Sequence, residues 1–240
     1  MLQNIKDIYG NRLKALDGDI GHVKDFYFDD RTWAIRYLVA DTGGWLTGRQ
    51  VLLSPHAFAK WDRFEGALYL KLNRIQIENS PPIESHMPIS RQYEIEYYRY
   101  YGWPAYWNGG AMLGLGGYPV VMPPSKEMTE GRLHPTRDDK HLQSIRALSG
   151  YSIQTADGTI GSVSSVLVDD RSWAIHEWVV ETGHWFSGKE ILIPRRKIER
   201  ISYEESKVFV TLTKEDIQGT ADNEIAKAGA GRPVADKSRN

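Results

Sequence analysis

The feature that most constrains this chain is a long internal repeat, in which the first segment returns about 140 residues later. LQNIKDIYG at 2–10 returns as LQSIRALSG at 142–150, and DGDIGHV at 17–23 returns as DGTIGSV at 157–163. DDRTWAI at 29–35 returns as DDRSWAI at 169–175. Roughly 24 of about 77 aligned positions are identical without a gap, so we infer a duplicated domain of about 80 residues.

The residues that both copies keep are mainly turn glycines, turn aspartates and strand hydrophobics. Asp17-Gly18 and its counterpart Asp157-Gly158 are the dipeptide of a tight hairpin turn. Asp-Asp-Arg at 29–31 and 169–171 separates two further β-rich runs, and its carboxylates suit turn N–H groups. Each copy closes with a capping-box pattern, Asn73 to Gln76 or Thr213 to Asp216, which predicts a short terminal helix. Many short strands with regular turn signals favour a small closed barrel.

The sequence therefore predicts a mainly all-β protein with two tandem small antiparallel β-barrels, each ending in a short helix. We expect the first barrel at 1–80, a connector at 81–140, the second barrel at 141–220 and a disordered tail at 221–240. The connector is rich in Gly and Pro, since eight of the 11 prolines fall there. Its dense aromatic content indicates that part of it is ordered.

Eight of the 15 residues from Tyr93 to Trp107 are aromatic, and a helix is predicted over 91–101 that ends at Gly102. Its aromatic stripe has three interpretations: packing on the chain's own barrels, a surface for a partner or a second copy, or a membrane-interface contact. The candidate interface residues are Tyr93, Tyr97, Tyr100, Tyr101, Trp103, Tyr106 and Trp107.

Composition excludes several chemistries and gives no positive sign of catalysis. The chain has no cysteine, which removes disulfides, thiolate metal sites and cysteine nucleophiles. Asp29-Asp30 and Asp169-Asp170 are better explained as turn residues than as metal ligands, and no two histidines show helical metal spacing. We therefore expect no enzyme activity, no metal and no cofactor.

Charge and hydropathy set further expectations about partners and place. With 30 basic and 31 acidic side chains, the chain lacks the strong field of a generic nucleic-acid protein. No 18-residue apolar run and no signal peptide is evident, so we expect a cytoplasmic protein without a transmembrane segment. One basic cluster, Arg195, Arg196 and Lys197, has no counterpart in the first copy. It is either an ordinary solvated rim or a contact for an anion or RNA.

The motifs DG-x-I-G-x-V, DDR-x-WAIRYLVADT, the Trp-Gly hairpin and VLLSP resemble those of PRC-barrel domains, and the resemblance covers both copies. The family includes the cytoplasmic domain of the photosynthetic reaction-centre H subunit and the C-terminal barrel of a ribosome maturation factor. SRQYEIEYYRYYGWPAYW at 90–107 also resembles stand-alone bacterial proteins that carry two such barrels. The resemblance implies a docking or assembly module without shared catalytic residues.

These observations favour a non-enzymatic scaffold or docking protein that binds a protein partner or self-associates, for example as a homodimer. The resemblance to the H subunit further implies that the protein binds peripherally to a photosynthetic or electron-transfer membrane complex. The alternative is an adaptor for RNA or ribosomal proteins, suggested by the maturation factor and by the basic cluster at 195–197.

Overall fold

The computed structural model describes residues 1–46, 49–81, 89, 91–105, 142–183 and 188–217. The first repeat forms β1 (Leu2–Asn4), β2 (Arg12–Ala15), β3 (Gly18–Asp29), β4 (Ala34–Asp41), β5 (Gln50–Leu53), β6 (Phe58–Asp62) and β7 (Ala67–Leu70). The second forms β8 (Leu142–Ser144), β9 (Ser152–Thr155), β10 (Gly158–Asp169), β11 (Ile175–Thr182), β12 (Glu190–Pro194), β13 (Ile198–Ser202) and β14 (Lys207–Val210). The expected tail at 221–240 lies outside the described residues.

The helices are few and short, so the predicted all-β class is confirmed. They are α1 (Arg74–Glu78), α2 (Arg91–Tyr101), α3 (Ile145–Leu148) and α4 at 214–217, with 3-10 turns at Ile5–Ile8, Pro55–Ala57 and Arg195–Lys197. The capping box of α1 forms as predicted: Asn73 accepts the N–H of Gln76, whose side chain accepts the N–H of Asn73. Among the described helices, none has the length and apolar character needed to cross a membrane.

Each unit is built on a seven-stranded sheet with the same strand order. The first runs β5-β4-β3-β2-β7-β6, and the second runs β12-β11-β10-β9-β14-β13. Two features distinguish the described sheets from a closed barrel with only antiparallel pairs. The β2–β7 and β9–β14 pairs are parallel, and the described ladder does not close between β5 and β6. Ser54 and Pro55 lead the chain out of β5 into a 3-10 turn, and proline has no N–H for a ladder.

The first strand of each repeat pairs with the sheet of the other repeat. β1 lies antiparallel to β10, with Leu2 opposite Asp169, and β8 lies antiparallel to β3, with Leu142 opposite Asp29. The chain accordingly divides into a first unit, Ile8–Ser144, and a second unit, Met1–Asp7 with Ile145–Asn240. Side-chain hydrogen bonds also hold β1 in the second unit: Ser165 Oγ donates to Asn4 Oδ1, and Gln3 Nε2 donates to Asp170. The exchange makes a strand from each repeat part of the other unit.

The predicted turns form, and their aspartates act on the backbone. Asp29 Oδ1 accepts the N–H groups of Arg31 and Thr32 at 2.9 and 3.2 Å. Asp169 Oδ1 accepts the equivalent N–H groups of Arg171 and Ser172 at 3.1 and 2.8 Å. These hydrogen bonds hold the turns that join β3 to β4 and β10 to β11.

Two glycines inside the long strands are required by close backbone approach. Gly21 has φ +135°, and a Cβ there would lie 1.9 Å from the carbonyl oxygen of Asp41. Gly161 has φ +157°, with the carbonyl oxygen of Glu181 at 2.1 Å from the same position. A side chain at either site would force the neighbouring strand away.

Inward-facing side chains alternate along the strands and form one core in each unit. In the first unit Phe26, Phe28 and Leu38 are fully buried, and in the second unit Ile160 and Trp178 are at most 1% exposed. Trp178 occupies the position of Leu38 in the repeat. The larger ring is matched by smaller residues nearby, since Phe26 and Phe28 become Val166 and Val168.

Replacing Gly21 with alanine should destabilise the protein by about 3 kcal/mol, because the new Cβ overlaps the β4 backbone and the φ is unfavourable. Urea denaturation measures this as a lower midpoint. Gly44→Ala is the control, since nothing lies within 4 Å of its Cβ position, and it should change stability by less than about 0.5 kcal/mol. Equal effects of the two substitutions would contradict the close-approach explanation.

Removing residues 1–4 should expose the edge of β10 without disturbing β3. Hydrogen exchange should become at least about tenfold faster for the amides of Val168 and Asp170, because Val168 lies opposite Gln3 and the N–H of Asp170 donates to the carbonyl of Met1. The amide of Asp169, which donates to Ala174, and the amides of 27–29, whose strand retains β8, provide the internal controls. Unchanged protection at Val168 and Asp170 would show that the exchanged strand contributes nothing to the second unit.

Candidate functional site

The aromatic helix α2 occupies the predicted span. It begins at Arg91 and ends at Tyr101, after which Gly102 adopts a left-handed φ of 69°. The N–H of Trp103 donates to the carbonyl of Tyr98 at 3.0 Å, and that of Gly102 donates to Arg99 at 3.2 Å. This is a glycine-terminated helix end that turns Trp103 back towards the last turn.

α2 packs on the outer face of the first unit's sheet. We call this surface the α2 contact face: Tyr37 and Val39 on β4, Leu52 on β5 and Leu142 on the exchanged strand β8. Together with Ile89, Tyr97 and Tyr98 they form one buried cluster, and Tyr27, Tyr93, Tyr101 and Trp103 pack against it. The contact therefore depends on a strand from each repeat.

Tyr97 is the centre of the contact, since its side chain is fully buried. Its hydroxyl donates to the carbonyl of Leu52 at 2.8 Å and accepts the N–H of Ser54 at 3.1 Å. Both backbone groups lie at the end of β5, where the described ladder stops. The phenol thereby provides hydrogen bonds to two backbone groups, which would otherwise be buried under α2 without partners at a cost in stability.

A second buried polar contact joins the helix to β4. Glu94 has no exposed surface, and its Oε1 accepts a hydrogen bond from the hydroxyl of Tyr37 at 3.0 Å. Buried carboxylates are rare unless they are hydrogen-bonded. This hydrogen bond therefore fixes the position of α2 along the sheet, in addition to the apolar contacts.

The rings around Tyr97 meet at geometries typical of aromatic clusters. Tyr37 lies edge-on to Tyr97 at 5.4 Å, and Tyr101 stacks on Trp103 at 4.4 Å between centroids. His56, in the turn after β5, contacts the ring of Trp103 at 5.7 Å. Such pairs add to area burial by about 0.5–1.5 kcal/mol each.

Peripheral hydrogen bonds fix the segment around the helix. Tyr93 donates to the carbonyl of Pro81 at 3.0 Å, and Tyr100 donates to the carbonyl of Gln76 at 2.9 Å. Arg49 donates to the carbonyl of Glu78 at 2.7 Å and also to that of Ser80. These contacts tie α2 and the end of α1 to the same sheet.

Burial changes the acidity of the tyrosines in the contact. It raises the pKa of Tyr101 to about 12, and it raises the pKa of Tyr93, Tyr97 and Tyr98 above the ordinary value of 10.0. Burial, together with the charges of Lys71 and Arg36, lowers the pKa of His56 below 6.5. At neutral pH the phenols are therefore protonated donors and His56 is uncharged.

The structure gives the candidate interface residues contacts inside their own unit. Tyr97 is fully buried, while Tyr93, Tyr101 and Trp103 are half-buried against the same cluster. Tyr100 is 42% exposed, and Tyr106 and Trp107 lie outside the described residues. Of the three interpretations of the stripe, packing on the chain's own sheet is the one observed for this helix.

Sequence reasoning missed Tyr37 and Glu94, although one signal was present. Arg36, Tyr37 and Leu38 become His176, Glu177 and Trp178, between Ala-Ile and Val positions that both copies keep. A position that differs between two copies of one fold marks a place where their surroundings differ. The tyrosine faces α2, which explains the difference.

The basic cluster lies in the other unit. Arg195, Arg196 and Lys197 form a 3-10 turn between β12 and β13, with both arginines exposed and Lys197 half-buried. The carbonyl of Lys197 accepts the N–H of Thr211 at 2.9 Å, so the turn is anchored by its backbone. Its role as an anion or RNA contact stays a prediction.

The paired aspartates have structural partners. The turn hydrogen bonds of Ser172, followed by the Met1 ammonium, hold the pKa of Asp169 well below its usual range. Asp170 accepts from the same ammonium group at 2.9 Å. Among the described residues, no group of three or more His, Asp or Glu side chains is placed to hold a metal.

Comparison with known families identifies both repeats. The model of the PRC-barrel domain matches residues 7–71 and again 142–217, which together make up more than half of the chain. The predicted tandem arrangement of two such repeats is confirmed. No curated protein matches the chain.

Tyr97→Phe should destabilise the protein by about 1–3 kcal/mol, because it leaves the Leu52 carbonyl and the Ser54 N–H buried without the phenol. Urea denaturation followed by aromatic fluorescence measures the change. The control is Tyr100→Phe, whose hydroxyl is exposed and should contribute less than about 0.5 kcal/mol. A neutral Tyr97→Phe would refute the anchoring role of this hydroxyl.

Proposed function

The chain belongs to the PRC-barrel domain family, and from that membership we propose that it is a non-enzymatic docking protein that assembles other proteins. The observation that carries the proposal is the packing of α2 on the α2 contact face. It supports the idea that the outer face of this sheet suits a helix, through an apolar stripe and two buried hydroxyl contacts. The second unit repeats this sheet, and its outer face is the one that the proposal assigns to another protein.

The polar groups of the first unit's face support binding rather than catalysis as the proposed role. Glu94 on α2 accepts a hydrogen bond from Tyr37 on β4, and Tyr97 on α2 donates to the Leu52 carbonyl on β5, so these hydrogen bonds hold α2 in place. Asp29 and Asp169 hold turns. Each of these groups already has a structural purpose, so the proposal assigns none of them a reaction.

The finer proposal concerns the partner. By resemblance to the reaction-centre H subunit, we propose a protein of a photosynthetic or electron-transfer complex, bound peripherally, with the chain acting from the cytoplasm. A second copy of the chain is the simplest other protein partner. Neither requires the aromatic residues of α2, which are engaged within the first unit.

A second candidate function is binding of RNA or ribosomal proteins. The observation that favours it is the adjacent exposure of Arg195 and Arg196 on a turn anchored by Lys197. Phosphate contacts of arginine are strongly weakened by salt, because binding releases counterions. The two candidate functions therefore differ in salt dependence and in their sensitivity to loss of these arginines.

The test is in-cell crosslinking of the full chain in its native host, followed by reconstitution with the purified crosslinked protein. We expect a complex of fixed stoichiometry that survives ribonuclease and is unaffected by Arg195→Glu/Arg196→Glu. Recovery of ribosomes or RNA alone, lost with rising salt and in the double variant, would instead establish the second candidate. A chain that forms no complex with any purified crosslinked component would overturn the docking proposal.

A further inference from the structure

The two units have corresponding outer sheet faces, but α2 covers the face of the first unit. In the first unit Leu52 and Leu142 are 1% and 7% exposed beneath α2. Their repeat counterparts in the second unit, Leu192 and Leu2, are 43% and 41% exposed. Exposure thus differs more than fivefold at positions where the residue type is identical.

The strand platform beneath these leucines is the same in both units. Val39 is opposite Leu52 in the β4–β5 pair, and Val179 is opposite Leu192 in the β11–β12 pair. Leu142 is opposite Asp29, and Leu2 is opposite Asp169. The paired valines are equally buried, Val39 at 4% and Val179 at 3% exposure, so the two faces differ in exposure at the leucines, which α2 covers in the first unit.

The second face differs from the first in charge. Tyr37, which donates to Glu94 in the first unit, is replaced by Glu177. Glu177, Val179 and Glu181 alternate along β11 and point to one side, with Glu190 directly opposite Glu181. Neither Glu177 nor Glu181 forms an ion pair within the described part of the chain.

Other charged groups border this face. Glu190 accepts from Ser164 Oγ at 3.2 Å, and Ser164 Oγ accepts from Lys6 at 2.7 Å. Arg196 replaces His56, whose ring contacts Trp103 in the first unit. The centre is acidic, and its rim offers a guanidinium that can stack on an aromatic ring.

We propose that the face formed by Leu2, Glu177 and Leu192, above the buried Val179, docks an amphipathic helix of a partner protein that carries Lys or Arg where α2 has Glu94. This rests on the proposed docking function and specifies its second site. The first unit provides the template: an apolar stripe covers the leucines, and one polar residue of the helix meets position 37. At position 177 the sheet supplies a carboxylate, so a basic residue is attracted and a second carboxylate is repelled.

The same substitution makes the second face a poor match for α2. Glu94 accepts a hydrogen bond from Tyr37, whereas against Glu177 it would place two carboxylates together in a desolvated contact. A second copy of α2 has the same mismatch. The occupant is therefore a helix of different charge from any that the described residues of this chain supply.

The test measures binding of two fluorescent peptides to the full chain by anisotropy. One has the sequence of 90–103, SRQYEIEYYRYYGW, and the other carries Glu94→Lys. We expect the lysine peptide to bind with a Kd on the order of 100 µM, because a short helix must be ordered on binding. The unchanged peptide should bind at least about tenfold more weakly.

Variants of the full chain identify the surface. Leu192→Asp should weaken binding of the lysine peptide about tenfold or more, and Glu177→Lys should reverse the preference between the two peptides. Phe64→Asp is the matched control, since it removes an exposed side chain of the first unit and should leave binding unchanged. Absence of binding by the lysine peptide, or binding unaffected by Leu192→Asp, would overturn the proposal.

Light scattering of the chain tests the other possible occupant of this face, a second copy of the chain. A concentration-dependent dimer that Leu192→Asp abolishes would assign this face to a second copy and overturn the helix proposal. If the peptides fail but a complex is reconstituted with the purified crosslinked partner, the docking function stands and its partner uses another surface. Failure of both experiments would remove the docking function itself.

Discussion

The long third strand of each repeat is the constraint on which the rest of the structure depends. β3 has 12 residues, and its first part, from Gly18 to His22, pairs with β2. Beyond that point the same edge pairs with β8, at residues 27–29. An unpaired edge of this length is an aggregation hazard, and proteins normally cover it. Here a strand from the other repeat covers it, and β10 is completed in the same way by β1.

This exchange has consequences for the outer face. Leu142 reaches the α2 contact face because it lies on β8, so the packing of α2 uses residues from both copies of the duplication. The helix then depends on Tyr97, whose hydroxyl satisfies two backbone groups at the end of β5, and on the contact of Glu94 with Tyr37. The sheet of the second unit has the same strand order and carries Glu177 in place of Tyr37. One substitution thus gives two similar faces a different charge.

Local signals predicted much of this fold, and non-local pairing accounts for what they missed. The turns at Asp17-Gly18 and Asp29, the capping box at Asn73 and the end of α2 at Gly102 depend on neighbouring residues, and each forms as predicted. The parallel β2–β7 pair and the exchanged strands join residues 50 or more positions apart, which no periodicity reveals. The aromatic stripe was visible in the sequence, but Glu94 within it was not singled out because burial of a carboxylate is decided by its surroundings.

By itself the sequence determined that the chain is a duplication, that each copy is a strand-rich unit, and that an aromatic helix follows the first copy. These properties follow from turn chemistry, hydrophobic alternation and self-similarity, which are local. The tertiary structure alone decided which sheet each first strand joins, that Tyr97 is buried rather than presented, and that Leu192 and Leu2 remain exposed. Burial and strand pairing are properties of distant residues brought together, so two copies with the same pattern acquire different surfaces.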